Sequence, residues 1–261
     1  TLLVKAMMFS TIRYCASTDP GHYSARVHGR ANGAFRNMNN LNKVLIFCAL
    51  ILPLSVIAQE AVLISNADLF DSVSGKLVED VFIRIEGNRI AEVSDSRPGG
   101  DFDREIDAGG NVLLPGFIDT HVHMSIIGGT DDLGGLPWDY LPHKMAKRSS
   151  DMLLRGFTTV RDLGGPVFGL RRAIEEGLVD GPRIFPSGAF VSQTSGHGDF
   201  RSLTDANPQL GGAPSHAQKL GYYQLADGVP AVLTAVRENL KNGATQIKVM
   251  GSGGVASAYD P

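Results

Sequence analysis

The chain has 261 residues, 43% of them hydrophobic and 20% charged, which is the composition of a globular protein with a substantial core. The formal net charge is -3. Residues 1–58 hold six Lys or Arg residues against Asp19 alone, so the remainder carries a net charge of -8 and lacks the basic stripe of a nucleic-acid-binding protein. Both cysteines, Cys15 and Cys48, also lie before residue 59, so the part that follows has neither a disulfide framework nor a cysteine zinc site.

The N-terminal segments are predicted to lie outside the globular part. Residues 1–37 show no helical or strand periodicity and are predicted to be disordered or not part of the native protein. Residues 38–58 have the form of a bacterial signal peptide, with a polar, basic start followed by an apolar run. That run contains Pro53 and is shorter than the roughly twenty apolar residues of a transmembrane helix, although a buried core helix is an alternative interpretation. We therefore predict cleavage before Gln59 and export to the periplasm or the medium, with no stable membrane span afterwards.

Residues 59–113 have the alternating pattern of β-strands. Apolar residues recur at every second position up to Ile85, and Gly87 and Asn88 then supply turn residues that tolerate a positive φ. The pattern predicts a β-hairpin within a small β-sheet module.

After Pro115 the pattern changes to strands that alternate with helices, which favours parallel βαβ units and an α/β fold. The predicted strands are Phe117–His123, Thr158–Arg161, Arg183–Pro186 and Gln246–Met250. The predicted helices are Leu141–Arg155, Phe168–Glu176 and a third within 229–240, capped by Asp227 and ended by Gly243. A Gly- and Ser-rich loop of about thirty residues precedes the third helix, and loops of that length are usually functional.

Four strands are half of those in a closed (β/α)8 barrel. Residues 114–261 are therefore predicted to be barrel strands one to four. Because half a barrel leaves an open parallel edge, we expect the chain to be the N-terminal part of a longer protein.

His121 and His123 lie two residues apart at the end of the first predicted barrel strand. The strand period of two puts both imidazoles on one face, and at the carboxyl end of a barrel strand that face looks into the mouth. Two converging imidazoles form half of a zinc or manganese site. Asp119 shares the face and is predicted to orient a ligand or to bind the metal. A surface histidine pair is the alternative interpretation.

Lys248 is the single charged residue of an apolar predicted strand. An unpaired ammonium group in a buried strand is costly. One interpretation is a lysine at the barrel mouth that pairs with a carboxylate or reaches solvent. The other is a neutral amine that adds CO2, giving a carbamate that can bridge two cations.

Three further residues are candidates for the site. His197 lies in the long loop between two glycines, which permit close approach of the backbone to a ligand; a loop histidine bonded to backbone is the alternative. Arg161 and Asp162 follow the second predicted barrel strand, where a structural ion pair is the alternative to a supporting role in the site.

These residues fall in segments that resemble a known family. LPGFIDTHVH, from Leu114, resembles the first-strand motif of the amidohydrolase superfamily. TTVRDLG from Thr158, SGHGD from Ser195 and QIKVMGSGGVAS from Gln246 sharpen the resemblance. Together they are similar to the branch that holds imidazolonepropionase-like enzymes and Xaa-Pro dipeptidases, over residues 60–261 and in the family's order.

The resemblance implies that residues 59–113 are the N-terminal part of a small composite β-sandwich beside the metal-containing barrel. It implies that His121 and His123 bind one of two divalent metal ions, expected to be Zn²⁺, and that Lys248, carboxylated by CO2, bridges to the second. The general-base aspartate is expected beyond residue 261, so no catalytic residue is assigned within the chain. His197 is expected to bind the substrate. The expected supporting residues are Asp119, Arg161 and Asp162.

The resulting hypothesis is a metal-dependent hydrolase of amide or peptide C–N bonds that acts through a metal-activated hydroxide. The expected substrate is an Xaa-Pro-like dipeptide, an N-acyl amino acid or a related small molecule, with no nucleic acid partner; a homo-oligomer is compatible with the sequence. Two alternatives are open: a truncated fragment without activity of its own, and a metal-dependent phosphoesterase, which can also carry a His-x-His pair after its first strand.

Overall fold

The computed structural model describes residues 60–129, 133, 135–254, 257 and 259. The predicted signal peptide at 38–58 and the segment 1–37 lie outside these residues. Within the described part of the chain, no helix is both long enough and apolar enough to cross a bilayer.

The first sheet is formed by the N-terminal part of the described chain. Its strands are β1 (Ala61–Asp71), β2 (Lys76–Glu86), β3 (Arg89–Ser94) and β4 (Arg104–Leu113). They lie in the order β3-β2-β1-β4. β1 is antiparallel to β2 and parallel to β4, and β2 is antiparallel to β3.

Alternation places one set of side chains of this sheet in a small core, which includes Ile64, Ile83 and Ala108. The turn between β2 and β3 uses Gly87 with a φ of 57°. The predicted hairpin is thus confirmed. The assignment of the sheet to a composite sandwich stays a prediction.

The second sheet is parallel and is interleaved with helices. Its strands are β5 (Phe117–Val122), β6 (Phe157–Asp162) and β7 (Arg183–Pro186), in the order β5-β6-β7. The helices between them are α1 (Leu141–Leu154) and α2 (Phe168–Glu175). Their buried side chains, among them Met152 and Leu170, join Val160 and Ile184 of the strands in one core. The α/β class is confirmed, and the closed eight-stranded barrel stays a prediction.

The long loop contains more regular structure than its composition predicts. It includes β8 (Phe190–Ser192), a 3-10 turn (Pro208–Leu210), a short helix α3 (His216–Lys219) and β9 (Tyr223–Leu225). β8 and β9 pair in parallel. Short regular elements therefore divide the loop that the sequence predicts. Elements of three or four residues are too short to show a hydrophobic period, which is why the sequence pattern does not reveal them.

The last helix, α4 (Gly228–Lys241), forms where it was predicted. Asp227 occupies the position before it, but its side chain makes no cap bond within the helix. The carboxylate accepts instead from the backbone N–H and the hydroxyl of Thr194, at 2.9 and 2.5 Å. Asp227 thus ties the long loop to the start of α4, and the predicted capping role is wrong.

The predicted strand Gln246–Met250 is reduced to one bridge, between Val249 and Val191. Val191 donates to the carbonyl of Lys248 and accepts from the N–H of Met250, at 2.9 and 2.8 Å. β7 and β8 are separated by residues 187–189, in which Gly188 has a φ of 71°.

Candidate metal centre

The histidine pair lies where β5 ends. His121 is the penultimate residue of the strand and is exposed, whereas His123 follows it and is half-buried. The two ring centroids are 5.4 Å apart, with the planes at 65°. The side chains therefore lie beside each other, as the spacing of two predicts.

His123 is held as a neutral ring in one orientation. Its Nδ1 lies 3.4 Å from the carbonyl oxygen of Gly164. Burial lowers the pKa of His123; the positive charges of Lys248 and Arg148 and the neighbouring His121 act in the same direction, against the bond to Gly164. A neutral imidazole whose Nδ1–H donates to a carbonyl leaves Nε2 unprotonated, which is the form that binds a metal ion.

Lys248 lies in the segment that pairs with β8. Its charge is close enough to depress the pKa of His123, and its backbone carbonyl is bonded to Val191 of β8. The side chain is half-buried. Lys248 is thus within electrostatic reach of His123, and its role as a metal ligand stays a prediction.

The three predicted ligands suit a divalent cation only as a set that includes the carboxylated lysine. Among the described residues, no three His, Cys, Asp or Glu side chains gather as a ready ligand set. Two imidazoles and, once lysine is carboxylated, a carbamate are nitrogen and oxygen donors of the kind that zinc accepts.

Asp162 is the last residue of β6 and lies beside the segment that follows His123. Its carboxylate is fully buried and accepts from the backbone N–H groups of Met124 and Gly164, at 2.6 and 3.1 Å. Burial raises the pKa of Asp162 to about 7, although these two bonds and the charge of Arg148 act in the opposite direction. Asp162 therefore holds both the residue after His123 and the residue whose carbonyl faces its ring.

Arg148 of α1 is a functional candidate that sequence reasoning missed. One of its terminal nitrogens donates to the carbonyls of His123 and Ile126, at 3.1 and 2.6 Å. The signal was available in α1, because Arg148 lies three residues after Met145 and four before Met152, both buried, and so shares their face. Arg148 and Asp162 together fix the carbonyl and amide sides of the segment that follows the histidine pair.

The other two predicted supporting residues make local contacts. Asp119 accepts from the backbone N–H of His121 at 3.0 Å. Arg161 is exposed and donates to the carbonyl of Thr120 at 2.8 Å. Arg161 and Asp162 therefore bond to different backbone groups on exposed and buried sides of β6, which does not match the alternative of a structural ion pair.

His197 lies in a tightly bonded part of the long loop. Its Nδ1 is 2.6 Å from the hydroxyl oxygen of Ser257, in the segment that follows Lys248. The loop is anchored by Asp199, whose buried carboxylate accepts from the N–H of Ser195 and pairs with the guanidinium of Arg201 at 2.6 Å. Arg201 lowers the pKa of Asp199, although burial alone would raise it.

Packing connects His197 with the histidine pair. The ring of Phe190 lies so near Gly164 and Gly198 that a Cβ on either would come within 2.7 Å of it. Gly164 faces His123, and Gly198 follows His197. Phe190 thus packs against both Gly164, which lies beside His123, and Gly198, which follows His197.

The family profile described as "Amidohydrolase family" matches residues 112–261, which is more than half of the chain and includes His121, His123 and Lys248. The chain belongs to the amidohydrolase family. Among curated relatives, ochratoxinase from Aspergillus niger is 38% identical over 161 residues, which cover 57% of this chain and 33% of that protein. Imidazolonepropionase from Streptomyces avermitilis is 36% identical over 52 residues, 20% of this chain and 13% of that protein.

Solved structures place the chain in the same branch. A prolidase complexed with N-methylphosphonate-L-proline is 42% identical, with a TM-score of 0.69, over 77% of this chain and 49% of that one. A Xaa-Pro dipeptidase with bound methionine is 29% identical, with a TM-score of 0.63, over the same shares of the two chains. The resemblance inferred from the motifs is confirmed. The chain spans about a third of the length of ochratoxinase and about half of each matched structure.

Proposed function

We propose that this protein is a metal-dependent amidohydrolase that cleaves the C–N bond of a small Xaa-Pro-like dipeptide or N-acyl amino acid. The observation that carries the proposal is the pair of adjacent rings of His121 and His123 at the end of β5, with Nδ1 of His123 facing the carbonyl of Gly164. Membership of the amidohydrolase family supports the reaction class. The names of the similar proteins, a prolidase and a Xaa-Pro dipeptidase, support the substrate class.

In this proposal His121, His123 and carboxylated Lys248 would hold the divalent metal, with Zn²⁺ as the expected ion. A bound cation of this kind polarises an amide carbonyl and makes a water molecule more acidic. CO2 supplies the carboxyl group on Lys248.

The residues of the chain position these ligands and the substrate. Arg148 and Asp162 bond the carbonyl and the N–H of the peptide group that follows His123, so the ring keeps one orientation while the substrate enters and the product leaves. In this proposal His197 of the long loop contacts an oxygen of the substrate. Positioning of this kind lowers the barrier because the reacting groups need not be ordered again during the reaction.

The test combines metal analysis with turnover. We expect the purified protein to contain zinc in stoichiometric amounts and to hydrolyse alanyl-proline or an N-acyl amino acid. His121→Ala and Lys248→Ala are both expected to lose metal and activity. Loss of metal in His121→Ala with full retention in Lys248→Ala would contradict the bridging role of the lysine. Preferential hydrolysis of p-nitrophenyl phosphate would favour a phosphoesterase instead.

A second candidate is a chain with no activity of its own. The observation that favours it is apolar exposure on strands of the parallel layer, where Ile118 and Val249 are 66% and 58% exposed. This candidate predicts that residues 59–261 aggregate on expression and bind no stoichiometric metal. A monodisperse, zinc-loaded protein would exclude it.

A further inference from the structure

Ser257, which lies in the segment after Lys248, forms a hydrogen bond with His197. Its hydroxyl oxygen accepts from the backbone N–H of Gly254 at 2.9 Å and lies 2.6 Å from Nδ1 of His197. Its own backbone N–H donates to the carbonyl of Gly254, also at 2.9 Å. Two hydrogen bonds to Gly254 therefore fix Ser257, whose hydroxyl contacts the imidazole of His197.

The imidazole of His197 packs directly against Gly254. A Cβ at Gly254 would come within 2.4 Å of Cε1 and 2.6 Å of Nδ1 of the ring. Only glycine permits this approach, since real Cβ atoms do not lie so close to other atoms. The close approach and the short Ser257 bond together restrict the ring to one orientation.

The direction of this bond sets the form of the ring. The hydroxyl of Ser257 accepts from Gly254 and keeps one proton to donate, and Nδ1 of His197 lies 2.6 Å away as an acceptor for it. A neutral imidazole that accepts at Nδ1 carries its own proton on Nε2.

We propose that Ser257 is a positioning residue that holds His197 as an Nε2–H donor for an acceptor oxygen of the substrate, either its acyl oxygen or its carboxylate. The substrate part of this inference rests on the proposed function. The assignment gives His197 and His123 opposite tautomers. Nδ1–H of His123 faces the carbonyl of Gly164 and leaves Nε2 free to bind metal, whereas Nδ1 of His197 accepts and leaves Nε2 as a donor.

A single donor of fixed orientation has a chemical consequence. It favours substrates that present an oxygen acceptor and disfavours those that present an N–H group at the same point, because two donors would then face each other. Oriented N–H donors of this kind stabilise negative charge that develops on a substrate oxygen.

The tautomer is tested by NMR of protein labelled with ¹⁵N-histidine, with His197→Ala used to assign the signals. We expect wild-type His197 to show a protonated Nε2 and an unprotonated Nδ1. Ser257→Ala is expected to give a mixture of tautomers, Ser257→Thr to restore the wild-type form, and Ser252→Ala, which removes an exposed hydroxyl from the same loop, to change nothing. A protonated Nδ1 in the wild type, or an unchanged spectrum in Ser257→Ala, would overturn the inference.

Turnover of alanyl-proline supplies the functional readout. Ser257→Ala is expected to lower kcat/KM by about tenfold, as for a donor that is misplaced but still present, and Ser257→Thr to recover most of it. Unchanged kinetics in Ser257→Ala would overturn the positioning role. If the wild type does not cleave alanyl-proline but shows the Nε2–H form, the substrate proposal fails and the assignment of the tautomer stands.

Discussion

Asp162 places a carboxylate where water does not reach it. Full burial favours the protonated acid, while two backbone N–H donors and the nearby charge of Arg148 favour the carboxylate. The balance raises the pKa of Asp162 to about 7. The protonation state of Asp162, which bonds the segment after His123, therefore changes in the neutral pH range.

This shift predicts a pH dependence of stability for the metal-free protein. An unfolded aspartate ionises near pH 4, so between about pH 4 and 7 the folded chain holds a proton that the unfolded chain releases. The stabilisation is complete below that window and is lost as the pH rises through it. From pH 5 to pH 8 wild type should lose about 2–3 kcal/mol of unfolding free energy more than Asp162→Asn, measured by urea denaturation. Parallel profiles for the two proteins would show that Asp162 does not bind this proton.

Arg148 is expected to matter for metal affinity more than for solubility or fold. Removing it leaves the carbonyls of His123 and Ile126 without their donor, and loss of such an outer partner typically lowers metal affinity by about tenfold to a hundredfold. We expect that loss in Arg148→Ala, measured by competition with a zinc-binding dye. The neighbouring exposed pair offers a control, because Lys147→Ala breaks only the surface ion pair with Asp151 and should bind zinc as wild type does. Equal affinities of Arg148→Ala and Lys147→Ala would contradict the role of Arg148.

The candidate ligands were predictable from local sequence, whereas the residues that position them were not. His121 and His123 reveal themselves by spacing, and Lys248 by being charged within an apolar strand. Arg148 and Ser257 act on His123 and His197 across 25 and 60 residues of sequence, so their partners become visible only after folding. The buried face of α1 was the one local signal for Arg148.

At the scale of elements, Gly188 lies in the short connection between β7 and β8. It adopts a left-handed φ of 71°, and a Cβ there would lie 2.5 Å from the amide oxygen of Asn239 and 2.8 Å from the ring of Phe168. Asn239 in turn bonds both the N–H and the carbonyl of Ala189, at 3.1 and 2.8 Å. The conformation of Gly188 is therefore built into the packing between β8 and α4.

Two glycine substitutions separate backbone strain from this packing. Gly177 has nearly the same φ, 72°, but nothing lies within 4 Å of its would-be Cβ. Gly177→Ala should cost about 1–2 kcal/mol of strain alone, and Gly188→Ala should cost at least about 1–3 kcal/mol more, because Asn239 and Phe168 must move. Chemical denaturation of both variants measures the difference. Equal losses of unfolding free energy in the two variants would mean that Asn239 and Phe168 move aside at no measurable cost.

The long strands and helices were predictable because each carries a full period of apolar residues or a clear stop signal, such as Gly156 after α1. The left-handed conformation of Gly188 and the reduced pairing at Val249 were not, since they depend on which segments lie beside each other. Asp227 shows the same limit, because Thr194 of the long loop takes the carboxylate that was expected to cap α4.

At the scale of the whole molecule, the signal-peptide prediction lies outside the described residues and has its own test. Expression in a bacterium of the chain starting at Met38 should give an exported protein whose N-terminal sequence begins at Gln59, because the apolar run that precedes it is too short to remain as an anchor. A cytoplasmic product that retains Met38 would contradict export.

The whole account depends on a bound divalent metal as the agent of amide hydrolysis. The most direct measurement is the rate of alanyl-proline or N-acyl amino acid cleavage by metal-stripped protein during titration with Zn²⁺. We predict negligible turnover without metal and recovery that saturates at stoichiometric zinc in wild type but not in a His121→Ala, His123→Ala double variant. Undiminished amide cleavage by the stripped protein, or equal recovery in the double variant, would contradict the account.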